Sequence, residues 1–242
     1  MVGIVVFAVT AHRELLDKLP VENDLLKRVL IAAQPTVILL LVTAGGTAAA
    51  STAGLRSLLA DWASDVPIAG DWIGPIATFM LVGMVLGTGT YLGDRWSKTL
   101  WAEPDDTDLI TDWRAASVIL NAVYGGVTEE ILMRWGIMTL ILAGLASLSG
   151  TQGDPSGIVV LITIVASAVV FAAGHLPAAM ISKRRTRRLV LRILGLNLPA
   201  GLLFGWLFWR WNLATAMAAH VGFHFGAAML VVLIRQSRSA ST

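Results

Sequence analysis

Six long apolar runs place the strongest constraint on the fold of this chain of 242 residues. Five of them approach or exceed the roughly 20 residues that an α-helix needs to cross a bilayer, and the other is longer. The chain is 56% hydrophobic, which exceeds the norm for soluble domains. The sequence therefore predicts an all-α, polytopic helical membrane protein with about six transmembrane helices. The runs are 29–50, 73–93, 115–148, 157–181, 193–209 and 213–234.

Two segments leave the number of helices open. A straight helix over residues 115–148 would extend about 50 Å, which exceeds a hydrocarbon core of about 30 Å. This run is therefore predicted to tilt, kink or break, and Gly125-Gly126 is the predicted place. The N-terminal segment 2-VGIVVFAVT-10 is followed by His12, Arg13 and Glu14 and not by a small-residue cleavage site, so it fits a signal peptide poorly. It is interpreted as an interfacial or an additional helix. Seven or eight helices are thus the alternatives, within a single membrane domain over residues 1–242.

Charged residues gather between the apolar runs and predict the orientation of the chain. The positive-inside rule assigns the connections that are rich in Lys and Arg to the cytoplasm, so both termini are predicted to be cytoplasmic. The most basic connection, 183–188, is also expected to contact anionic membrane lipids. The net charge of +2 gives no indication of nucleic-acid binding. Zero Cys excludes cysteine nucleophiles and Cys-ligated metals. The basic positions are 183-KRRTRR-188, Lys27, Arg28, Arg95, Lys98, Arg235 and Arg238.

A few ionisable residues lie within the apolar runs. Of sixteen Asp and Glu residues, only Glu129 and Glu130 are inside a run. Three of the four histidines, His175, His220 and His224, are inside runs as well. An ionisable group at the centre of a membrane helix costs about 2.5–3.5 kcal/mol on insertion scales, so such groups normally face a bundle interior or a wet cavity. We therefore expect these five residues to form a site.

The spacing of the glutamates separates their roles. Glu130 and Arg134 are four residues apart and lie on one helix face, so the guanidinium can pair with that carboxylate. Glu129 then points about 100° away, without this cation, and is available as a general base or acid. The alternative is that the Glu130–Arg134 pair only holds helices together. In the same helix, Asn121 and Tyr124 are interpreted as residues that hydrogen-bond between helices.

The histidines also follow a four-residue spacing. Phe171 and His175 place an aromatic ring one turn from an imidazole. His220 and His224 place two imidazoles on one face, which is the geometry of paired helix histidines that bind zinc. A single histidine in a membrane helix is more often a hydrogen-bonding residue than a catalytic one, so the argument depends on the combination.

In order and spacing, these residues resemble the three motifs of the CAAX protease and bacteriocin-processing (CPBP, Abi-type) family of intramembrane endopeptidases. The motifs are Glu129-Glu130-x-x-x-Arg134, Phe171-x-x-x-His175 and His220-x-x-x-His224, within a motif-bearing core over residues 121–228. The surrounding sequence is similar to that of prokaryotic members, which implies the plasma membrane of a prokaryote.

The resemblance implies hydrolysis of a peptide bond in a peptide or protein substrate with a membrane-associated segment. Glu129 would activate water, His175 would assist it, and the last motif would polarise the scissile carbonyl. Glu130 belongs to the candidate catalytic set with His220 and His224, while Arg134 and Phe171 are supporting residues. Whether the substrate is prenylated stays open. A catalytically silent binding or immunity protein of the same fold is one alternative, and a proton-coupled transporter is another.

The resemblance leaves the metal question open, because His224 stands where the family commonly has Asn or Asp. In one mechanism, Glu129 and His175 activate water without a metal. In the other, His175, His220 and His224 bind Zn²⁺ and Glu129 deprotonates a metal-bound water. The metal-free mechanism is preferred, because few polar residues are available to orient three imidazoles. Since His175 and His220 lie towards opposite ends of their runs, a kinked or re-entrant helix is predicted to bring them together.

Overall fold

The computed structural model describes residues 21–55, 73–101, 118–119, 122, 124–177 and 186–239. These residues contain six helices that are long and apolar enough to cross a membrane, as the sequence predicts. The N-terminal segment over residues 2–10 and Asn121 lie outside the described residues. The helices are α1 (Asp24–Ala49), α2 (Ile73–Trp101), α3 (Tyr124–Ser149), α4 (Gly157–Gly174), α5 (Arg187–Arg210) and α6 (Leu213–Ser239).

Residues at the helix ends explain several of the boundaries. The Asn23 side chain accepts a hydrogen bond from the Leu26 backbone N–H at the start of α1, and Thr186 caps α5 in the same way. Such caps satisfy backbone donors that have no partner within the helix. Gly150 ends α3 in the left-handed conformation, with φ of 71°, which glycine adopts without steric cost.

The described helix α3 begins at Tyr124 and has Gly125-Gly126 in its first turn. Its first two segments, Tyr124–Glu129 and Ile131–Met138, are π-helical, and Thr139–Ser149 is α-helical. A π-helix bonds residue i to residue i+5 and commonly occurs at functional sites. At the junction, both the backbone N–H and the hydroxyl of Thr139 donate to the Arg134 carbonyl. Of the predicted run over 115–148, residues 115–117, 120–121 and 123 lie outside the described residues. Residues 124–149 form one helix with wide turns at its start.

The most buried of the six spans is α3. Half of its most apolar window is buried, against 11% of the corresponding windows of α1 and α2. Four of the fully buried apolar side chains come from α3 and α5, namely Met138, Leu142, Phe204 and Leu207. The core therefore lies where α3, α4, α5 and α6 meet, and it is the α3 segment of this core that carries both glutamates.

Glycines bring α2 and α6 into backbone contact. At each of four glycines, a Cβ atom would overlap a main-chain carbonyl of the opposite helix. Small residues of this kind permit close helix approach in membranes, where the apolar driving force for helix association is weak. The contact positions advance together along both helices, so α2 and α6 run parallel. The glycine–carbonyl pairs are Gly83 with Ala219, Gly87 with Phe223, Gly222 with Met80 and Gly226 with Met84.

A second buried ion pair corrects the sequence-based assignment of charges. Asp94 of α2 binds Arg192 of α5, with distances from Asp94 Oδ1 of 2.7 Å to Nε and 2.6 Å to Nη2. Both side chains are buried. Asp94 is therefore a further acidic residue within a membrane helix, although only Glu129 and Glu130 lie inside the apolar runs. The second apolar run ends at Gly93, one residue before Asp94, and the fifth begins at Ile193, one residue after Arg192. The helices extend past these limits, because the two opposite charges satisfy each other.

Candidate active site

A buried network centred on Glu130 joins α3 to α4. Glu130 Oε2 accepts a hydrogen bond of 3.0 Å from Arg134 Nε, and neither side chain is exposed. This confirms the ion pair that the four-residue spacing predicted. Arg134 Nη1 donates to the Ser167 hydroxyl at 3.1 Å, and the guanidinium lies over the Phe171 ring at 5.1 Å from its centroid. The first and second motifs therefore meet through Arg134.

His220 brings the third motif onto the same carboxylate. Its Nδ1 lies 2.8 Å from Glu130 Oε1, and because a carboxylate can only accept, Nδ1 carries the proton. The other nitrogen, Nε2, is then a lone-pair acceptor in neutral His220 and a donor when the ring is protonated. Both oxygens of Glu130 are thus engaged, one by Arg134 and one by His220.

Aromatic rings hold the His220 imidazole in place. Phe204 of α5 stacks on it at 4.6 Å and 22°, and His224 stacks at 5.0 Å and 18°. Phe171 approaches it edge-on at 5.8 Å. Packing from three helices therefore determines the plane of the ring, while Glu130 determines which nitrogen is protonated.

His175 lies at an interruption at the end of α4. The α-helix ends at Gly174, His175 is a turn residue, and helical conformation resumes at residues 176–177. His175 Nδ1 lies 2.9 Å from the Phe171 carbonyl oxygen. Because a carbonyl oxygen can only accept, Nδ1 carries the proton and donates it, and neutral His175 presents a lone pair on Nε2. Its ring also contacts Phe171 edge-on at 4.8 Å, as the spacing predicted.

His224 directs its ring towards the first turn of α3. Its Nε2 is buried and has no hydrogen-bond partner among the described residues. A Cβ added at Gly125 would lie 2.6 Å from this atom and 3.2 Å from His220 Nε2. Both Nε2 atoms therefore approach one position beside Gly125, and the absence of a side chain there leaves room for them.

Glu129 lies at the edge of this arrangement. It is half-buried and makes no hydrogen bond or ion pair to the other described residues. It is within electrostatic range of Tyr124, and His224 is within such range of His175 and His220. The structure thus brings six of the predicted residues into one set of contacts, and it places Glu129 next to that set without a bond to a histidine. The six are Glu130, Arg134, Phe171, His175, His220 and His224.

Comparison with protein families gives an independent result for the same region. The family model described as type II CAAX prenyl endopeptidase Rce1-like matches residues 111–226. Over this segment, the chain is similar to the Rce1-like family. The match indicates the fold and the hydrolase class of a CAAX-type protease, and with six apolar spans the protein is an integral membrane protein. Neither the comparison with curated proteins nor that with solved structures gave a match.

The alternative mechanism requires three histidine ligands for a zinc ion. Two donors, His220 Nε2 and His224 Nε2, approach one position, and Glu130 orients the first of them. A three-histidine site also needs His175, and among the described residues no group of three or more His, Cys, Asp or Glu residues is arranged to hold a metal ion. The donor set of the described residues therefore does not fit a three-histidine zinc site.

Three contributors to the site were not predicted. Ser167 precedes Phe171 and His175 at the same four-residue interval, so its position on their face was available from spacing alone. Phe204 has no comparable signal, because an aromatic residue in an apolar helix is indistinguishable from any core residue before the fold is known. Gly125 was interpreted only as a possible break, although its role is to make space for two imidazoles.

Proposed function

We propose that this protein is an intramembrane endopeptidase in which Glu129 activates the water that attacks the peptide bond. The observation that carries the proposal is the contrast between two adjacent glutamates. Glu130 has both oxygens bound and is inaccessible to solvent, whereas Glu129 is half-buried and has no bond to another described residue. A general base needs a free oxygen within hydrogen-bond reach of water, and Glu129 meets that requirement.

The histidines supply complementary functions in this mechanism. Neutral His175 offers the lone pair on Nε2, which accepts a hydrogen bond from the water that Glu129 deprotonates. Glu129 then gives this proton to the leaving amine as the C–N bond breaks. His220, when protonated, donates from Nε2 to the oxygen of the scissile carbonyl as negative charge develops there. The Glu130 carboxylate stabilises the charged ring from the opposite side, as a buried carboxylate does for the histidine of a catalytic triad. His224 lies beside the same position and provides a second possible donor.

The proposed substrate is a peptide or protein with a membrane-associated segment, cleaved without a metal ion. The site lies within a bundle of apolar helices, so a substrate with an apolar portion reaches it more readily than a fully polar one. Two peptides of identical sequence, one with a prenylated C-terminal Cys and one without, would show whether the lipid contributes to recognition. Cleavage that is lost after chelation and returns with stoichiometric zinc would contradict the metal-free mechanism.

The decisive experiment compares adjacent substitutions in purified protein. Glu129→Gln removes the base but no bond to another described residue, so we expect a normal folded yield and no cleavage. Glu130→Gln weakens contacts with Arg134 and His220, so we expect both yield and cleavage to fall. Cleavage by Glu129→Gln at the wild-type rate would refute the proposed role. If the wild-type protein binds the peptides but cleaves none, the silent binding protein is favoured; pH-driven flux without cleavage would favour a transporter.

We also propose that the protein lies in the plasma membrane of a prokaryote, with both termini and the 183–188 loop in the cytoplasm. The distribution of Lys and Arg between the spans supports the orientation, and the resemblance to prokaryotic members of the family supports the location. The parallel course of α2 and α6 is compatible with six alternating crossings. A reporter fused after Arg188 should be active only as a cytoplasmic protein, and an exported reporter at that position would contradict the orientation.

A further inference from the structure

Positioning of the His220 ring requires α5 and α6 to hold a fixed relative placement. The ring is stacked between Phe204 on α5 and His224 on α6, and its Nδ1 must stay within reach of Glu130. A displacement of about 1 Å at a reacting group can reduce the rate a hundredfold. Whatever fixes the placement of α5 and α6 therefore affects the chemistry without touching substrate.

One side of this placement is fixed by α2. The carbonyls of Ala219 and Phe223 touch Gly83 and Gly87 of α2, and His220 and His224 are the residues that follow these two carbonyls. Because these are contacts between main chains, α6 cannot move towards α2 without a steric clash, and it cannot move away or rotate without losing the contacts. The position of both histidines along the axis of α6, and the direction in which they point from it, thus depend on the contact with α2.

The other side is fixed by the buried pair of Asp94 and Arg192. Asp94 is on α2, seven residues after Gly87, and Arg192 is on α5, the helix that carries Phe204. The pair joins residues 98 positions apart in the sequence, and both side chains are buried. Asp94 and the whole of α2 lie outside residues 111–226, which the family model matches. The same helix is therefore bound to both helices between which His220 is stacked.

We propose that Asp94 and Arg192 form a positioning pair, which holds α2 against α5 and thereby sets the place of the His220 ring between α5 and α6. Its catalytic consequence depends on the proposed endopeptidase function. Neither residue touches the reacting atoms, so the pair should govern the rate of the chemical step more than the binding of the peptide. The functional unit of this protein then consists of residues 111–226 together with α2.

The test uses the full chain and two readouts, the kinetics of peptide cleavage and the ¹⁵N chemical shift of the His220 ring. The shift is assigned by comparison with His220→Gln. In Asp94→Asn we expect kcat to fall about tenfold to a hundredfold, with KM changed by less than about twofold, and the His220 signal to move as its bond to Glu130 loosens. The double exchange Asp94→Arg with Arg192→Asp should restore much of both readouts. Asp154→Asn, in an exposed loop, is the control and should change neither.

Two outcomes would overturn the positioning role. One is a wild-type kcat and an unmoved His220 signal in Asp94→Asn. The other is a folded double exchange that restores neither readout. If Asp94→Asn yields no folded protein, Asp94→Glu makes the same test, because it keeps the charge but displaces the carboxylate by one methylene; an unchanged His220 signal there would also reject the role. If the wild-type protein cleaves no peptide, the endopeptidase proposal fails while the His220 signal still tests the pair.

Discussion

Two buried ion pairs among the described residues have similar chemistry, but one joins neighbours on a single helix and the other joins two helices. Glu130 and Arg134 are four residues apart on one helix, with an N–O distance of 3.0 Å. Asp94 and Arg192 are 98 residues apart on two helices, with a distance of 2.6 Å. The first pair was predicted from spacing, and the second was revealed only by the fold. Burial of charge therefore does not by itself identify a catalytic site, because the same interaction also joins helices.

The surroundings of the pairs explain their different roles. The carboxylate of Glu130 also binds His220, and Arg134 also binds Ser167 and lies over Phe171. The local pair is thus part of the candidate site itself. The Asp94–Arg192 pair connects α2 to α5, and its effect on the site is transmitted through those helices. Four substitutions test this comparison.

The largest effect is expected for Arg134→Ala. Removal of one partner leaves a buried carboxylate without its cation, which typically costs about 3–5 kcal/mol. We expect a lower folded yield, a lower unfolding temperature in detergent and loss of cleavage. Arg210→Ala, at an exposed position, should alter stability by no more than about 0.5 kcal/mol. A normal yield with full activity in Arg134→Ala would show that the local pair is not structural.

The second-largest loss of stability is expected for Gly83→Ala, on the helix that carries Asp94. In Gly83→Ala, the new methyl group overlaps the Ala219 carbonyl, and because backbone cannot move aside as a flexible side chain can, we expect a loss of about 3 kcal/mol. Gly89→Ala is the matched control on the same helix, since no atom lies within 4 Å of its Cβ position. Thermal unfolding of the two variants in one detergent measures the difference. Equal stability would mean that α2 and α6 separate readily, and it would weaken the case for α2 as a positioning helix.

A smaller loss of stability is expected for Ser167→Ala, which removes the hydroxyl that binds Arg134 of the Glu130–Arg134 pair. Arg134 Nη1 would then lack its acceptor in a buried environment, at a cost of about 2 kcal/mol. The exposed Ser147 provides a control substitution to Ala. If denaturation shows the same stability for both variants, Ser167 makes no net contribution to the network.

The smallest loss of stability is expected for Thr47→Val, which tests an uncharged hydrogen bond between residues far apart in the sequence. The Trp135 Nε1–H donates to the Thr47 hydroxyl at 2.9 Å, across 88 residues of sequence. Loss of this bond should cost about 1 kcal/mol, less than loss of the charged pair of similar range. Thr47→Ser keeps the hydroxyl and should recover most of the stability. A loss in Thr47→Val as large as that in Arg192→Ala would remove the distinction between charged and neutral connections.

The sequence predicted those parts of the molecule that depend on composition or on short spacing. Apolar runs determined the number of spans, and four-residue intervals placed Glu130 beside Arg134 and Phe171 beside His175. These predictions succeed because residues three or four apart in a helix are neighbours whatever the rest of the chain does.

Contacts between helices were beyond the reach of spacing. The approach of His220 to Glu130 and its stacking on Phe204 depend on how four helices pack, and no local pattern encodes that packing. The π-helical turns of α3 were also unpredictable, because apolar periodicity over so few residues does not distinguish them from an α-helix. The limits of the apolar runs hid Asp94 and Arg192, since a charge at the end of a run is normally assigned to a loop.

The parallel contact between α2 and α6 has a consequence for biosynthesis. Of the six spans described, α6 leaves the ribosome last, while its partner α2 is inserted second. Until α6 arrives, the glycines of α2 have no backbone to pack against, and Glu130 has no imidazole beside it. The candidate site is therefore completed only when the last described span is inserted, so a nascent chain in the membrane carries both glutamates but cannot yet form it.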